Sequence, residues 1–290
     1  MGFIETLING LSIGSTYAVI ALGYTMVYGI AKMLNFAHGD VIMVGGYMIY
    51  LTMASIGNPF LGLLVAVVFC VLLGITVEKV AYRPLRGASP LAVLITAIGV
   101  SYLLQSTAQI IFGSAPKMVI LANLGNIEFA GLKIPFYVLI TLACSVVIMV
   151  ALSLFVKYTK TGRAMIAVSE DRGAAQLMGI NVNGIITITF AIGSGLAAFA
   201  GFFMLMKSPS LSNTLGAMPG IKAFTAAVIG GIGSIPGAMV GGILMGVVEA
   251  ISFTIPPIAP YTDAIEFMVL IIILLVRPSG ILGKVRREKV

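Results

Sequence analysis

The chain has 290 residues, 59% hydrophobic and only 9% charged, with a mean hydropathy of +1.11. A soluble domain carries about 25% charged residues, so this composition excludes one and specifies an integral membrane protein. The formal charge of +7 does not imply nucleic acid, because the cations gather at the ends of apolar runs, as the positive-inside rule predicts.

Apolar runs near bilayer length cover roughly 8–30, 41–57, 60–80, 91–112, 135–156, 185–206, 237–254 and 262–277, with a shorter glycine-rich run at 217–233. They are continuously apolar, not alternating, and so predict helices instead of barrel strands. The expected fold is an all-α polytopic membrane protein: one domain over residues 1–290, a bundle of about eight or nine transmembrane helices with segments broken by glycine and proline. Glu5 and the lack of a basic leader argue against a cleaved signal peptide. Cys70 and Cys144 fall inside apolar runs and read as small core hydrophobes.

Between the first two runs lies KMLNFAHGD, residues 32–40, which concentrates Asn35, Phe36, the single histidine His38, Gly39 and Asp40. The plain reading is a cytoplasmic turn whose aspartate caps a helix beginning at Val41. The sharper reading is a broken-helix element beside a translocation path, since irregular backbone at membrane depth is tolerated only where it is buried in protein or lines a cavity. Further on, Ser101, Gln105 and Gln109 recur every four residues and are expected to point into the bundle, as glue between helices or along the path. The interval 113–135, with Pro116, Lys117, Asn123, Asn126, Glu128 and Lys133, is the longest expected outer segment.

Residues 157–183, KYTKTGRAMIAVSEDRGAAQLMGINVN, form the longest interval without a bilayer-length run. Lys157, Lys160, Arg163 and Arg172 supply cations. Ser169 is the expected N-cap of a short amphipathic helix over about 170–178, Glu170 and Asp171 suit its first turn, and Gly179 suits its stop. Taken alone, the interval also fits an ordinary cytoplasmic loop.

The later run is interrupted by Gly230, Gly231, Gly233, Pro236 and Gly237, and the tetrapeptide MVGG occurs both at 43–46 and at 239–242. Interrupted segments at matching places in two halves point to a transporter's central path; close glycine packing is the alternative. Lys222, Glu249, Asp263 and Glu266 are expected near the outer interface, pairing for structure or partner docking. Three basic clusters set the orientation: Lys79/Arg83/Arg86, the cations of 157–183, and Arg277/Lys284/Arg286/Arg287/Lys289. All three are cytoplasmic if 217–233 crosses, which places the C-terminus inside; the N-terminus is outside if the three runs before Lys79 all cross. One histidine and no GxSxG or HExxH pattern predict neither a metal nor a catalytic site. No GxxxxGK[ST] is present, so ATP hydrolysis, if used, belongs to another chain.

The pattern Glu170, Asp171, Ala174, Ala175, Gly179 resembles the coupling loop of ABC importer permeases, with Ser169-Glu170-Asp171 an approximate form of it. NFAHGD, TGRAMIAVSEDRGAAQLMGINV, the glycine run from Gly220 and the terminal RPSGILG resemble, more specifically, the branched-chain amino acid permease family, nearly end to end. The resemblance implies a non-enzymatic subunit of the prokaryotic plasma (inner) membrane, without cofactor, carrying leucine, isoleucine and valine, with urea or short-chain amides as the alternative cargo. Implied partners are two cytoplasmic ATP-binding subunits, a homologous second permease or a second copy, and an extracytoplasmic substrate-binding protein. On this reading Asn35, Phe36, His38, Gly39, Asp40, Gln105, Gln109, Gly230, Gly231 and Gly233 are the candidate path residues. Lys160, Arg163, Glu170, Asp171, Arg172 and Gly179 fall to ATPase coupling. A secondary transporter or channel working alone is the reading from a different class.

Overall fold

The computed structural model describes residues 2–121, 125–129 and 132–283; Asn123 and the terminal cations Lys284, Arg286, Arg287 and Lys289 lie outside the described residues. The helices are α1 (Phe3–Ala31), α2 (His38–Ser55), α3 (Pro59–Val77), α4 (Pro90–Phe112), α5 (Phe136–Tyr158), α6 (Lys160–Glu170), α7 (Arg172–Leu177), α8 (Val182–Lys207), α9 (Ala217–Gly230), α10 (Ile235–Thr254) and α11 (Thr262–Val276). Short strands β1 (Lys117–Met118), β2 (Asn126–Phe129), β3 (Leu132–Pro135) and β4 (Ser210–Leu211) complete the chain. The fold is an all-α polytopic membrane protein, its spans in the positions the apolar runs marked.

Helix starts follow local chemistry. Asn58 and Ser89 accept backbone N–H groups just ahead of prolines that open α3 and α4, where a missing N–H costs nothing. Ser234 and Asn181 cap α10 and α8 through Gly237 N (3.1 Å) and Gly184 N (3.0 Å).

Among the described residues, seven helices are long and apolar enough to cross a membrane. They divide into an interior and a wall. The apolar windows of α1, α8 and α10 are 89%, 72% and 61% buried, whereas those of α3, α4, α5 and α11 are 28% or less buried. The wall helices turn aliphatic side chains such as Leu64, Ile110, Val147 and Leu275 outward, a surface suited to lipid. The centre is made by α1 and α10 running antiparallel with glycines in the seam. A Cβ on Gly10 would stand 2.9 Å from Val247 Cα, one on Gly14 2.7 Å from Ile243 Cα, and one on Gly246 would collide with the Gly14 backbone. Dispersion between closely packed backbones supplies in lipid the attraction that water expulsion supplies in a soluble core.

Two further apolar helices are irregular. The first, α2, begins inside the bundle. The second, α9, has 14 residues, about 21 Å at 1.5 Å per residue and too short to span alone. It is entered through non-helical residues 212–216, after β4 has paired with β1: Lys117 faces Leu211 and Met118 faces Ser210. That pairing holds the connections after α4 and after α8 at one end of the bundle. At the opposite end, which carries Arg83, Arg86, Arg163 and Arg172 and is called here the basic end, α9 stops at Gly231 (φ 101°). There Ile281 N and Leu282 N donate to Ile229 O (2.8 Å) and Gly230 O (3.0 Å), so the RPSGILG segment satisfies carbonyls that a helix end leaves open. The chain from β4 through residues 212–216 and α9 to Gly231 therefore passes from one end of the bundle to the other, with α9 itself starting inside it.

The 157–183 interval differs from its expected form. It folds as two helices, α6 and α7, capped by Thr159 (to Gly162 N, 2.9 Å) and Asp171 (to Ala174 N, 3.0 Å). Ser169 is not a cap; its hydroxyl donates back to Ile166 O (2.7 Å) within the last turn of α6. Glycine at position 162 lets α6 fold tightly onto the end of α5, where any Cβ would meet the Val156 backbone. Gly179 does terminate α7, at φ +81°.

Candidate functional site

The residues after α1 turn back into the bundle. Ala31 ends the helix, Lys32 adopts φ 53°, and the chain returns so that the His38 ring packs on Gly23 and edge-on to Tyr24 at 4.7 Å. Gly23 lies eight residues before the end of α1, about 12 Å along its axis. Asn35, His38 and Asp40 are 6%, 1% and 2% exposed. The segment is thus an irregular element inside the bundle and not a turn in solution, the one arrangement that unpaired backbone tolerates at depth.

Asp40 is not the cap of α2, which begins at His38 and takes Asp40 into its first turn. Its carboxylate accepts instead from Ser101 Oγ and from Gln105 Nε2 (2.8 Å), both on α4. Gln109 does not join them and is exposed. Four residues turn a helix by about 400°, so a stripe at that spacing drifts about 40° per step and leaves the shared face by its third member. Behind Asp40, the Gly39 backbone lies directly against Gly216 and Gly220, with no room for a Cβ at any of the three. The first turns of α2 and α9 therefore meet inside the bundle, one from each half of the chain. Phe36 packs on the same helix through Phe224, ring centroids 5.4 Å apart.

A second polar network sits at the basic end, and Glu78 is its centre. The end of α3 widens into a π-turn over Glu78–Tyr82, which buries both Glu78 and Tyr82 completely. Glu78 pairs with Arg86 and accepts from Thr187 Oγ1 (2.7 Å); Arg86 also donates to Asn183 Oδ1. Tyr82 donates to Asn35 Oδ1 (2.7 Å), tying the π-turn to the re-entrant segment. Arg172, in the first turn of α7, donates to Ala31 O at the end of α1. Burial and the neighbouring Arg86 guanidinium both push its ionisation below the usual arginine value. Arg172 thus reaches inward to the bundle, whereas Lys160, Arg163, Glu170 and Asp171 are exposed around it. At the other end of α7, Leu177 and Met178 are 90% and 82% exposed.

Gly230, Gly231 and Gly233 are also at the basic end. They pack on Gly237, on Gly280 and Gly283, and opposite Gly29 respectively, which matches the close-packing alternative. Lys222, Glu249 and Glu266 are enclosed by protein, at 7%, 8% and 0% exposure, with Glu249 and Glu266 close to the ends of α10 and α11 away from the basic end. One lysine offsets that burial: Lys222 Nζ lies 2.8 Å from Asp263, 3.1 Å from Glu266 and 3.4 Å from Glu249, and Tyr17 donates to Glu249 (2.6 Å). No group of metal-ligating side chains occurs among the described residues.

Glu78, Tyr82, Asn183, Thr187, Leu177 and Met178 were not singled out from the sequence. Glu78 had a readable signal, being an acid directly beside the first basic cluster. Leu177 and Met178 did not, since apolar residues are unremarkable until a structure leaves them outside.

Known proteins resemble the chain along its whole length. The family model described as branched-chain amino acid transport system / permease component matches residues 6–274. The high-affinity branched-chain amino acid transport system permease protein BraD of Pseudomonas aeruginosa is 42% identical, over 99% of this chain and 98% of that protein. The corresponding permease LivH of Escherichia coli is also 42% identical, with 99% and 98% covered. A probable branched-chain amino acid transport permease of Methanocaldococcus jannaschii is 27% identical over 96% of this chain and 92% of its own length.

Proposed function

This chain belongs to the family of branched-chain amino acid transport permease components, and we propose that it forms the membrane path of an ATP-driven importer of leucine, isoleucine and valine. A permease of this kind works with separate ATPase and substrate-binding subunits. In the proposed assembly two ATPases dock at the basic end, a homologous second permease or a second copy lies alongside, and a binding protein delivers cargo at the opposite end. The basic end, and with it the C-terminus, then faces the cytoplasm, as the positive-inside rule favours. Chemistry resides in the ATPases, and this chain acts as a single permease domain whose coupling element is the interval 157–183.

The observation that carries the reading is α7. Its tip presents Leu177 and Met178 to solvent, an exposed apolar pair of the kind that marks a docking surface. Its first turn is bonded through Arg172 to the end of α1. ATPase closure would displace the tip, and the Arg172–Ala31 contact would pass the displacement to the residues after α1. These are Asn35, held by Tyr82, and Asp40, held by Ser101 and Gln105. Movement there would separate the first turns of α2 and α9 and open the path past Phe36, His38 and Gly39. Such coupling requires the two conformations to differ in their contacts with nucleotide-bound ATPase.

The test replaces Leu177 and Met178 together by serine. The variant should insert and purify in normal yield, lose its co-purifying ATPase, and lose ATP-dependent leucine uptake in proteoliposomes. Unchanged leucine uptake without any ATPase would overturn the importer reading in favour of a carrier acting alone.

A further inference from the structure

Arg86, Arg172, Gln176, Asn181 and Asn183, together with Ile180, Val182 and Ile186, line one cavity of about 290 Å³ at the basic end. We propose that this cavity is a binding site for a phosphate group, supplied by an anionic phospholipid headgroup or by free phosphate. It is independent of the cargo and of the path.

Charge is the first argument. Two guanidiniums line the cavity, and among the described residues the acid that pairs with one of them is Glu78, which joins Arg86. The pair and its acid therefore carry one uncompensated positive charge. Arg172 has a backbone carbonyl as its acceptor, and the buried Arg86 Nε has no acceptor among the described residues. Guanidinium donors taken out of water need an anion, and phosphate oxygens match their forked geometry. Shape is the second argument. The lining combines the amides of Gln176, Asn181 and Asn183, which can donate, with aliphatic Ile180, Val182 and Ile186, a combination that suits a headgroup with the start of its acyl chains. Basic pockets between helices at a membrane surface bind such groups.

The arginine side of this site lies apart from the apolar tip of α7, while Gln176 lines it next to that tip. Arg172 is directed inward to Ala31 O, whereas the apolar tip of α7 is five and six residues further along. An anion here would bind α7 to the connection between α3 and α4 and to the start of α8. It would thereby stiffen the link through which coupling passes.

Two substitutions put a carboxylate into the cavity at little cost to the fold. Asn181→Asp retains an N-cap for α8, because aspartate caps as well as asparagine. Gln176→Glu keeps a good helix former at an exposed position. The full-length chain in maltoside micelles free of phosphate would be heated with inorganic phosphate against chloride at equal ionic strength, and separately with phosphatidylglycerol. For the unmodified chain the unfolding midpoint should rise in at least one arm, and the responding arm identifies the source. Without ligand both variants should unfold no earlier than the unmodified chain, because the new carboxylate meets the same guanidiniums, and both should bind roughly tenfold more weakly. The proposal is overturned if neither arm raises the midpoint, or if both variants respond as the unmodified chain does. A third overturning result is loss of ATPase retention in both variants with no phosphate response, which would assign the cavity to an acidic side chain of the ATPase.

Discussion

Glu78 shows what a single buried charge demands. It is wholly enclosed and satisfied by Arg86 and Thr187, and removing one partner of a buried pair leaves the other charge unpaired, at a cost of about 3–5 kcal/mol. Arg86→Met should therefore strongly lower the unfolding midpoint, and adding Glu78→Gln should recover much of the loss. A double variant as unstable as Arg86→Met alone would show that Arg86 acts through packing. Asp40 makes the same point with neutral donors. Gln105→Leu removes one of its two side-chain hydrogen bonds, and bonds to a charged group contribute about 1.5–3 kcal/mol. The change should lower the midpoint accordingly, while Gln109→Leu, at an exposed position, should not. At this scale the sequence marked Asn35, His38 and Asp40 as a constellation, because polar residues crowded between apolar runs are visible as such. It did not reveal their partners. Ser101, Gln105 and Tyr82 lie 47 to 65 positions away from the groups they bind, and no local pattern encodes that pairing.

Among the elements, the seam between α1 and α10 is the most constrained. Gly246→Val should prevent their close approach, because its side chain would enter the Gly14 backbone. Overpacking of this kind typically costs about 1–3 kcal/mol and more where backbone must move. The expected outcome is little folded protein by size-exclusion of the detergent extract. Gly99→Ala on α4, with nothing within 4 Å, should leave the yield unchanged; equal yields for the two would remove the seam from the argument. Element positions were legible because bilayer length imposes itself on composition. The two-helix form of 157–183 was not, because Thr159, Ser169 and Asp171 are all competent caps and the choice among them is made by α6 folding back on α5. Nor did periodicity indicate that α2 starts inside the bundle, since an apolar run reads alike wherever it begins.

For the molecule as a whole, orientation can be decided independently of transport. The β1–β4 pairing fixes residues 117–118 and 210–211 at one end, and the connection between α3 and α4, with Arg83 and Arg86, lies at the other. Ser114 and Gly87 are exposed at these two ends, and a Cβ on Gly87 meets nothing within 4 Å. The native Cys70 is buried and Cys144 sits within α5, so neither should react with a membrane-impermeant maleimide. Ser114→Cys should label in intact cells, and Gly87→Cys only after permeabilisation. The reverse pattern would invert the molecule, place α7 outside the cell, and remove it from any ATPase. The expected pattern would put Leu177, Met178 and the arginine-lined cavity on the side where ATP is available. The α2–α9 contact would then lie between that side and the face that receives cargo.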